Sequence, residues 1–258
     1  MMETIVIVKK GAKLRFREPI LIEGLPGIGL VGKLAAEHLV RELKAEKIAE
    51  IYSPHFPHQV LMKRNGTLRM LKNKVFAWRN PKKGNDLLIL VGDVQAVTSE
   101  AQYEVCDKIL RFFEKLKGRM IYTLGGYGVG KTVEKPRVFG SATHKELIPP
   151  LEKHGVIFGQ TNGSIIGAAG LLLGLGKLRG MRGVCLMGET HGGYVDARSA
   201  QAVLETLTRI LDIKVSMAKL EERAKESERF MKRMEKEARR QTAVTEGAVK
   251  SEELSYIR

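Results

Sequence analysis

The chain has 258 residues and 43% of them are hydrophobic, which is enough for the core of one large α/β domain, so a folded globular protein is expected. Its 44 Lys and Arg residues outnumber 29 Asp and Glu residues, and the formal net charge of +15 favours acidic partners. Cys106 and Cys185 stand far apart and outside any CxxC spacing, so they indicate neither a zinc site nor a disulfide framework, and we expect two buried small side chains.

The distribution of charged and apolar residues points to a soluble protein. The longest apolar run, residues 164–176, is shorter than the roughly 20 residues that span a bilayer. The first ten residues are too short and too polar for a signal peptide, so a cytoplasmic location is expected. Basic residues are spread along the chain with few aromatics among them, which argues against nucleic-acid binding. Abundant Lys, Arg and Glu with sparse Asn and Gln are typical of proteins from very hot environments.

Eight short apolar runs have the length and the flanking residues of β-strands. In chain order they are TIVIV, PILIEG, KIAEIYS, QVLMK, KVFAW, DLLILVGD, RMIYTLGG and GVCLMGE. Asn65-Gly66 stands between two strand-like runs and predicts a hairpin, which makes a mixed sheet the expectation.

Stretches with helical periodicity separate several of these runs. They cover residues 30–43, 99–116, 144–153, 164–177 and 197–211. The alternation predicts a three-layer α/β fold, with a mixed and mostly parallel sheet flanked by helices. We assign residues 1–213 to this domain.

A charged helix is predicted for residues 214–240, after the α/β domain. Small and apolar residues recur there at alternating spacings of three and four, which places them on one seam: Met217, Leu220, Ala224, Ser227, Met231, Met234 and Ala238. At about 1.5 Å per residue the helix would be roughly 40 Å long. Two interpretations stay open: a final helix packed lightly on its own domain, or a projecting arm that pairs with another subunit.

Residues 241–258 lack a sustained periodicity and are expected to form a flexible tail. The last residues return to an apolar and aromatic character with Leu254, Tyr256, Ile257 and Arg258. Such an end is typical of a docking peptide whose side chains enter pockets on a partner, although a frayed end without a role is the common alternative.

The stretch LGGYGVGKT has the spacing of a phosphate-binding loop, with Gly125, Gly130, Lys131 and Thr132. The helix that such a loop needs is not predicted, because Pro136 would fall in its second turn, where proline costs about 3 kcal/mol. No later strand ends in an Asp suited to magnesium. We therefore predict a turn at the end of a strand and no nucleotide site.

A second glycine pattern, Gly27-x-Gly29-x-x-Gly32, lies between a predicted strand and a predicted helix, as in a dinucleotide-binding fingerprint. Pro26 is unusual in that loop, and Glu50 only loosely supplies the acidic residue that should end the next strand. We favour a tight turn whose glycines permit close packing of helix on strand.

The densest polar cluster follows a predicted strand in GETHGGYVDARSA, which contains Glu189, Thr190, His191, Tyr194 and Asp196. A Glu and His pair can perform acid–base chemistry. The alternative that we favour makes Asp196 the N-cap of the next helix and gives His191 a place at a turn or an interface. No catalytic residue, cofactor or metal ligand is assigned.

The stretches LIEGLPGIGLVGKLAAEHLV, LLILVGD, YTLGGYGVG and GETHGGYVDARSA together resemble the proteasome assembly chaperone 2 family in its archaeal form. The resemblance covers about residues 18–211 and implies a phosphorylase-like α/β fold without established catalysis. It also implies homo-oligomeric chaperones or activators that bind the α-subunits of the 20S proteasome. The glycines would then shape the fold and bind no phosphate: Gly24, Gly27, Gly29, Gly32, Gly125, Gly126, Gly128 and Gly130.

Some archaeal relatives end in a hydrophobic-Tyr-any tripeptide that enters pockets between proteasome α-subunits. Here the end is Tyr256-Ile257-Arg258, so the tyrosine comes one place early and Ser255 precedes it. The expected function is non-enzymatic binding of proteasome α-subunits, or of a related partner such as another chaperone, by a homo-oligomer. The alternative is a nucleotide- or small-molecule-binding enzyme that uses the GGYGVGKT loop or the Glu189/His191 cluster.

Overall fold

A central sheet between two layers of helices forms the protein. The computed structural model describes residues 3–82, 84–159 and 163–226. The strands are β1 (Ile5–Val8), β2 (Ile20–Gly24), β3 (Glu46–Tyr52), β4 (Val60–Met62), β5 (Leu68–Met70), β6 (Asn73–Trp78), β7 (Leu87–Gly92), β8 (Met120–Gly128), β9 (Val138–Ala142), β10 (Val156–Ile157) and β11 (Arg182–Thr190). The helices are α1 (Val31–Glu42), α2 (Ser99–Lys115), α3 (Ile148–Glu152), α4 (Ala168–Leu178) and α5 (Ala197–Ile210).

The nine strands of the central sheet follow the order β1-β3-β6-β7-β2-β8-β11-β9-β10. The centre, β7-β2-β8-β11, is parallel, whereas β1, β3 and β6 extend it in antiparallel fashion and β9 runs antiparallel to β11. The predicted fold class, a mixed sheet flanked by helices, is confirmed.

Each face of the sheet buries its own apolar core. Helices α2 and α4 cover one face, with Phe113 and Leu172 among the buried side chains. Helices α1 and α5 cover the other face, with Leu39 and Leu207 among them. Every residue of β2 and β7 is buried, which explains why these strands appear in the sequence as continuous apolar runs and not as alternating ones.

Several elements differ from the sequence-based prediction. Strands β5, β9 and β10 were not among the eight predicted runs, and residues 144–153 form a 3₁₀ turn (Lys145–Leu147) followed by the short α3. Helix α4 begins at Ala168 and not at residue 164, because Gly167 has a φ of 86°, which is incompatible with a right-handed helix. Both cysteines are buried and unpaired, as predicted.

Helices α1, α2 and α5 end in the same way, at a non-glycine residue in the left-handed region. These residues are Lys44, Lys117 and Asp212, with φ values of 50°, 64° and 49°. The residue that follows each of them donates its N–H to a carbonyl of the last helical turn. These hydrogen bonds run from Ala45 to Val40 (3.0 Å), from Gly118 to Phe113 (3.1 Å) and from Ile213 to Thr208 (3.1 Å). This is the Schellman arrangement, in which glycine usually occupies the left-handed position.

Strands β4 and β5 form a separate antiparallel hairpin, as Asn65-Gly66 predicted. Gly66 adopts a φ of 79°, and the N–H of Lys63 donates to the carbonyl of Thr67 at 2.8 Å across the turn. The register pairs Val60 with Met70 and Met62 with Leu68. The hairpin is thus a two-stranded sheet beside the main one.

The segment that follows α5 returns to the domain. Residues 218–226 are helical, Leu220 is fully buried, and Ala224 is 5% exposed in the core beneath α1 and α5. His38 Nε2 of α1 lies 2.6 Å from the carbonyl oxygen of Ser216, and Met217 packs partly against the same core. Two positions of the seam expected to pair with another subunit therefore face the protein's own domain.

The remaining predicted interaction residues, Met231 and Met234 of the arm and Leu254, Tyr256, Ile257 and Arg258 of the tail, lie outside the described residues. Within the described ranges, the helices are all too short or too polar to cross a bilayer.

Candidate functional site

The two glycine motifs and the polar cluster meet at one edge of the sheet. Strands β2, β8 and β11 are parallel neighbours, and they end at Gly24, Gly128 and Thr190. The carboxyl edge of parallel strands is where α/β proteins usually bind ligands, so this edge is the candidate site.

The first glycine motif brings helix α1 directly onto strand β8. After β2 the chain makes a 3₁₀ turn at Ile28–Leu30 and enters α1 at Val31. A Cβ on Gly32 would overlap the carbonyl oxygen of Leu124, and a Cβ on Gly24 would overlap the carbonyl oxygen of Gly32. Gly29 has a φ of 61°, and its added Cβ would lie 2.8 Å from Thr190 Oγ1. By contrast, Gly27 has open space around it.

The second glycine motif lies mostly within a strand and not in a turn. Gly125, Gly126 and Gly128 belong to β8, which continues beside β11 as far as Thr190. A Cβ on Gly126 would lie 2.5 Å from the carbonyl oxygen of Ile28, whereas Gly125 has only Met187 Cγ at 3.9 Å. Gly130 follows the strand with a φ of 69°. The sequence match to a phosphate loop therefore arises from a strand that packs closely against the turn before α1.

The residues after the second motif do not form the helix of a phosphate-binding loop. All nine residues between β8 and β9 are described, and none is helical. Both Lys131 and Thr132 are exposed, and the Thr132 hydroxyl lies 3.1 Å from the Tyr194 hydroxyl. Without a helix N-terminus, this loop lacks the array of backbone N–H groups that binds phosphate.

Glu189, the carboxylate of the predicted acid–base pair, is bound by an arginine. Its Oε2 accepts from the backbone N–H and Nε of Arg137, both at 3.0 Å, and its Oε1 accepts from Arg137 Nη2 at 2.5 Å. The Arg137 guanidinium lowers the pKa of Glu189, which favours its ionised form. No hydrogen bond within the described chain joins Glu189 to His191, so the pairing needed for general base catalysis is not formed.

Asp196 is the N-cap of α5, which confirms the favoured interpretation. Its Oδ1 accepts from the backbone N–H of Ser199 at 2.9 Å and its Oδ2 accepts from the Thr190 hydroxyl at 2.7 Å. Its own N–H donates to the carbonyl of Gly29 at 2.9 Å. Asp196 therefore ties the start of α5 to the end of β11 and to the turn before α1. His191 stacks near Tyr194, with 5.1 Å between ring centroids.

A buried polar row across the central strands was missed by the sequence analysis. Glu23 of β2 pairs in register with Thr123 of β8, which pairs with Cys185 of β11. Glu23 Oε1 accepts from the N–H of Leu25 at 2.8 Å, while Glu23 Oε2 and Thr123 Oγ1 have no partner among the described residues. The only signal in the sequence is one acidic residue at the end of the apolar run ILIE.

Burial controls the protonation of this row. Glu23 is 1% exposed, and desolvation raises its pKa to about 8. Desolvation also raises the pKa values of Cys106 and Cys185 to about 12, which makes both thiols poor nucleophiles. In the part of the chain that the structure describes, no cluster of three or more His, Cys, Asp or Glu side chains is placed to hold a metal ion.

The fold and this edge define a class: a three-layer α/β protein in which glycines bring helix and strand backbones into contact at the usual ligand-binding edge. The chain belongs to the PAC2 family, whose family model matches residues 21–235. The family resemblance identified from the glycine motifs is thereby confirmed.

Three archaeal proteins are similar to the chain. The chain is 42% identical over 239 residues to the uncharacterized protein MJ1210 of Methanocaldococcus jannaschii, covering 92% of each chain. It is 45% identical to Pyrococcus furiosus PbaB, described as an archaeal proteasome activator, with a TM-score of 0.86 over 91% of this chain and 100% of that one. Pyrococcus furiosus PbaA, described as an archaeal homolog of proteasome-assembly chaperone, is 28% identical, with a TM-score of 0.75 over 93% of this chain and 96% of that one.

Proposed function

We propose that the protein is a non-enzymatic, homo-oligomeric assembly chaperone or activator that binds α-subunits of the 20S proteasome in the cytoplasm. The observation that carries this proposal is the similarity to PbaB, at 45% identity and a TM-score of 0.86 over 91% of the chain. Identity of this extent supports a shared class of partner in addition to a shared fold.

The geometry of the carboxyl edge gives structural roles to the residues that were candidates for catalysis, which supports the non-enzymatic part of the proposal. Glu189 is engaged by Arg137, and Asp196 caps α5. Gly32 lies against the backbone of Leu124 and Gly126 against the backbone of Ile28, so these glycines bring the start of α1 and the turn before it onto β8. These residues therefore serve to position α1 and α5 around β8 and β11.

The tail and the later part of the charged helix supply the proposed contacts. Leu254, Tyr256, Ile257 and Arg258 would dock on the partner, with Tyr256 one place earlier than in the family's tripeptide. Subunit pairing would involve Met231 and Met234, because Leu220 and Ala224 already face the protein's own core.

Native mass spectrometry tests this proposal directly. The full chain and a variant lacking residues 241–258 are each measured alone and with recombinant proteasome α-subunits from the same organism. We expect a discrete homo-oligomer for both proteins, and complexes with α-subunits that are weaker for the shortened variant. If the full chain does not bind α-subunits, the proposal is contradicted. If both proteins bind equally well, the tail does not contribute to binding.

A further inference from the structure

The hairpin β4–β5 has an anchored inner side. Leu61 packs against the core under α2 and α4. Arg69, opposite Leu61 in the register, donates from Nη1 and Nη2 to the two carboxylate oxygens of Asp93, at 2.5 and 3.0 Å. A two-stranded sheet is marginally stable by itself, so these two contacts hold the hairpin in a fixed orientation on the domain.

The outer side of the hairpin is apolar and exposed. Side chains alternate along a strand, so the two cross-strand pairs that flank Leu61 and Arg69 face away from the domain. Val60 is 47% exposed, Met62 85%, Leu68 62% and Met70 56%. Four neighbouring apolar side chains on one small face form a patch of the kind that marks interaction sites, whereas single exposed apolar residues need no explanation.

The rim of this patch is basic. Residues 58–74 contain Lys63, Arg64, Arg69, Lys72 and Lys74 and no Asp or Glu. Arg69 pairs with Asp93 and Lys72 pairs with Glu50. Lys63 and Arg64 lie exposed at the turn, and neither forms an ion pair with another described residue. Carboxylates on a covering surface would complement these two side chains at the turn.

We infer that the β4–β5 hairpin is a docking element for a protein surface with an apolar centre and an acidic rim. This inference rests on the proposed function and identifies that surface as part of the proteasome α-subunit. A second copy of this chain fits less well, because a two-fold contact would place the basic rim against itself. The hairpin and the tail are separate elements of the chain, so the hairpin gives a second contact that does not depend on residues 241–258.

The apolar contribution is tested by exchanging the two most exposed side chains of the patch. Full-length wild type and the double variant Met62→Ser/Leu68→Ser are compared in their Kd for immobilised recombinant α-subunits by biolayer interferometry. We expect the Kd to rise about tenfold or more, as for central apolar residues of an interface. The matched control is Ile166→Ser/Leu178→Ser, which changes two side chains outside the hairpin that are 87% and 85% exposed, and its Kd should stay within about twofold of wild type.

The charge contribution is tested by Lys63→Glu/Arg64→Glu, with Lys10→Glu/Lys153→Glu as the control of equal net charge. Lys10 and Lys153 are exposed and form no ion pair among the described residues. We expect the hairpin variant to lower the association rate by about tenfold at low salt and to weaken its dependence on salt, since rim charges act mainly on association. Melting temperatures close to wild type in all variants separate loss of binding from loss of fold.

The outcomes separate the two proposals. Binding by wild type that is unchanged in both hairpin variants overturns the hairpin inference and leaves the proposed function standing. Absence of binding by wild type overturns the proposed function and with it this inference. A changed subunit number of the hairpin variants in native mass spectrometry assigns the patch to contacts between copies of the chain and also overturns the inference.

Discussion

Glu23 shows how one residue couples the fold to pH. Its carboxyl lies in the middle of the sheet at 1% exposure, where burial raises its pKa from the usual 4.5 to about 8. A protonated carboxyl has a hydroxyl that can donate, and Thr123 offers an acceptor on the neighbouring strand. The neutral acid is therefore the form that the folded protein accommodates.

Replacing Glu23 by Gln, which imitates the neutral acid, should remove a pH dependence of stability. Between pH 4.5 and about 8 the unfolded chain releases this proton while the folded chain keeps it, so the free energy of unfolding of wild type falls as pH rises through that window. The free energy of unfolding of Glu23→Gln minus that of wild type should therefore increase between pH 4.5 and about 8 and stay constant above that pH. Urea unfolding at several pH values measures this difference.

Glu50 provides a control of opposite sign. Although partial burial opposes ionisation, hydrogen bonds from Lys47, Lys72 and Tyr52 lower its pKa to about 2. Its contribution to stability is present above the usual pKa of 4.5 and is lost as pH falls towards about 2. Glu50→Gln should therefore lose stability at neutral pH.

An equal stability difference between Glu23→Gln and wild type at pH 5 and pH 9 would contradict the assignment for Glu23.

At the level of elements, the contact of strand β8 with the turn before α1 organises the candidate site. The two glycine motifs lie far apart in the sequence, yet Gly32 meets Leu124 and Gly126 meets Ile28. Each contact is made by backbone atoms, which cannot move aside as a flexible side chain can. The approach of the two elements therefore depends on the absence of a Cβ at these positions.

Neighbouring glycines of β8 allow a matched test of this contact. Gly126→Ala should destabilise the protein by about 1–3 kcal/mol, because the added methyl meets the Ile28 carbonyl and Thr190 Cγ2. Gly125→Ala makes the same chemical change one residue earlier, where the added methyl would lie 3.9 Å from Met187 Cγ, and should be tolerated. Denaturant midpoints of the two variants measure the difference. Equal midpoints would mean that the turn before α1 shifts freely.

The sequence predicted the elements whose cause is local. Continuous apolar runs marked β2 and β7, and Asn65-Gly66 marked the hairpin. Strand β9 was missed because Gly140 interrupts a short run, and its position depends on pairing with β11 about 45 residues later.

Within the candidate site, too, the sequence predicted the contact between neighbouring residues and missed the contacts between distant ones. Asp196 is a local cap and was recognised, whereas Arg137, the partner of Glu189, is brought there only by the sheet. The pairing of Glu23 with Thr123 likewise depends on strand order, which no local pattern encodes.

For the whole molecule, the question is where the α/β domain ends. A boundary after residue 213 was predicted from the change in composition, yet residues 218–226 contribute Leu220 and Ala224 to the core beneath α1 and α5. The bond between His38 and Ser216 ties the connection to α1. The charged helix thus begins as part of the domain.

Leu220→Ala should cost about 2–5 kcal/mol, the range for a leucine removed from a packed core. Lys219→Ala, at the exposed neighbouring position, should have an effect within about 0.5 kcal/mol. Urea unfolding at one fixed protein concentration measures both, so that any effect of oligomerisation is held constant. A Leu220→Ala variant as stable as wild type would indicate that the segment leaves the domain in solution.

The backbone strain at the ends of α1, α2 and α5 lowers the melting temperature of the protein below the value that the same fold could reach. Lys44, Lys117 and Asp212 hold left-handed backbone conformations that cost a residue with a Cβ about 1–2 kcal/mol each. Glycine at these exposed positions would release that strain, less the entropy that it adds to the unfolded chain. None of the three belongs to the hairpin, the tail or the carboxyl edge, so these glycine substitutions should raise the melting temperature without changing a residue of those three elements.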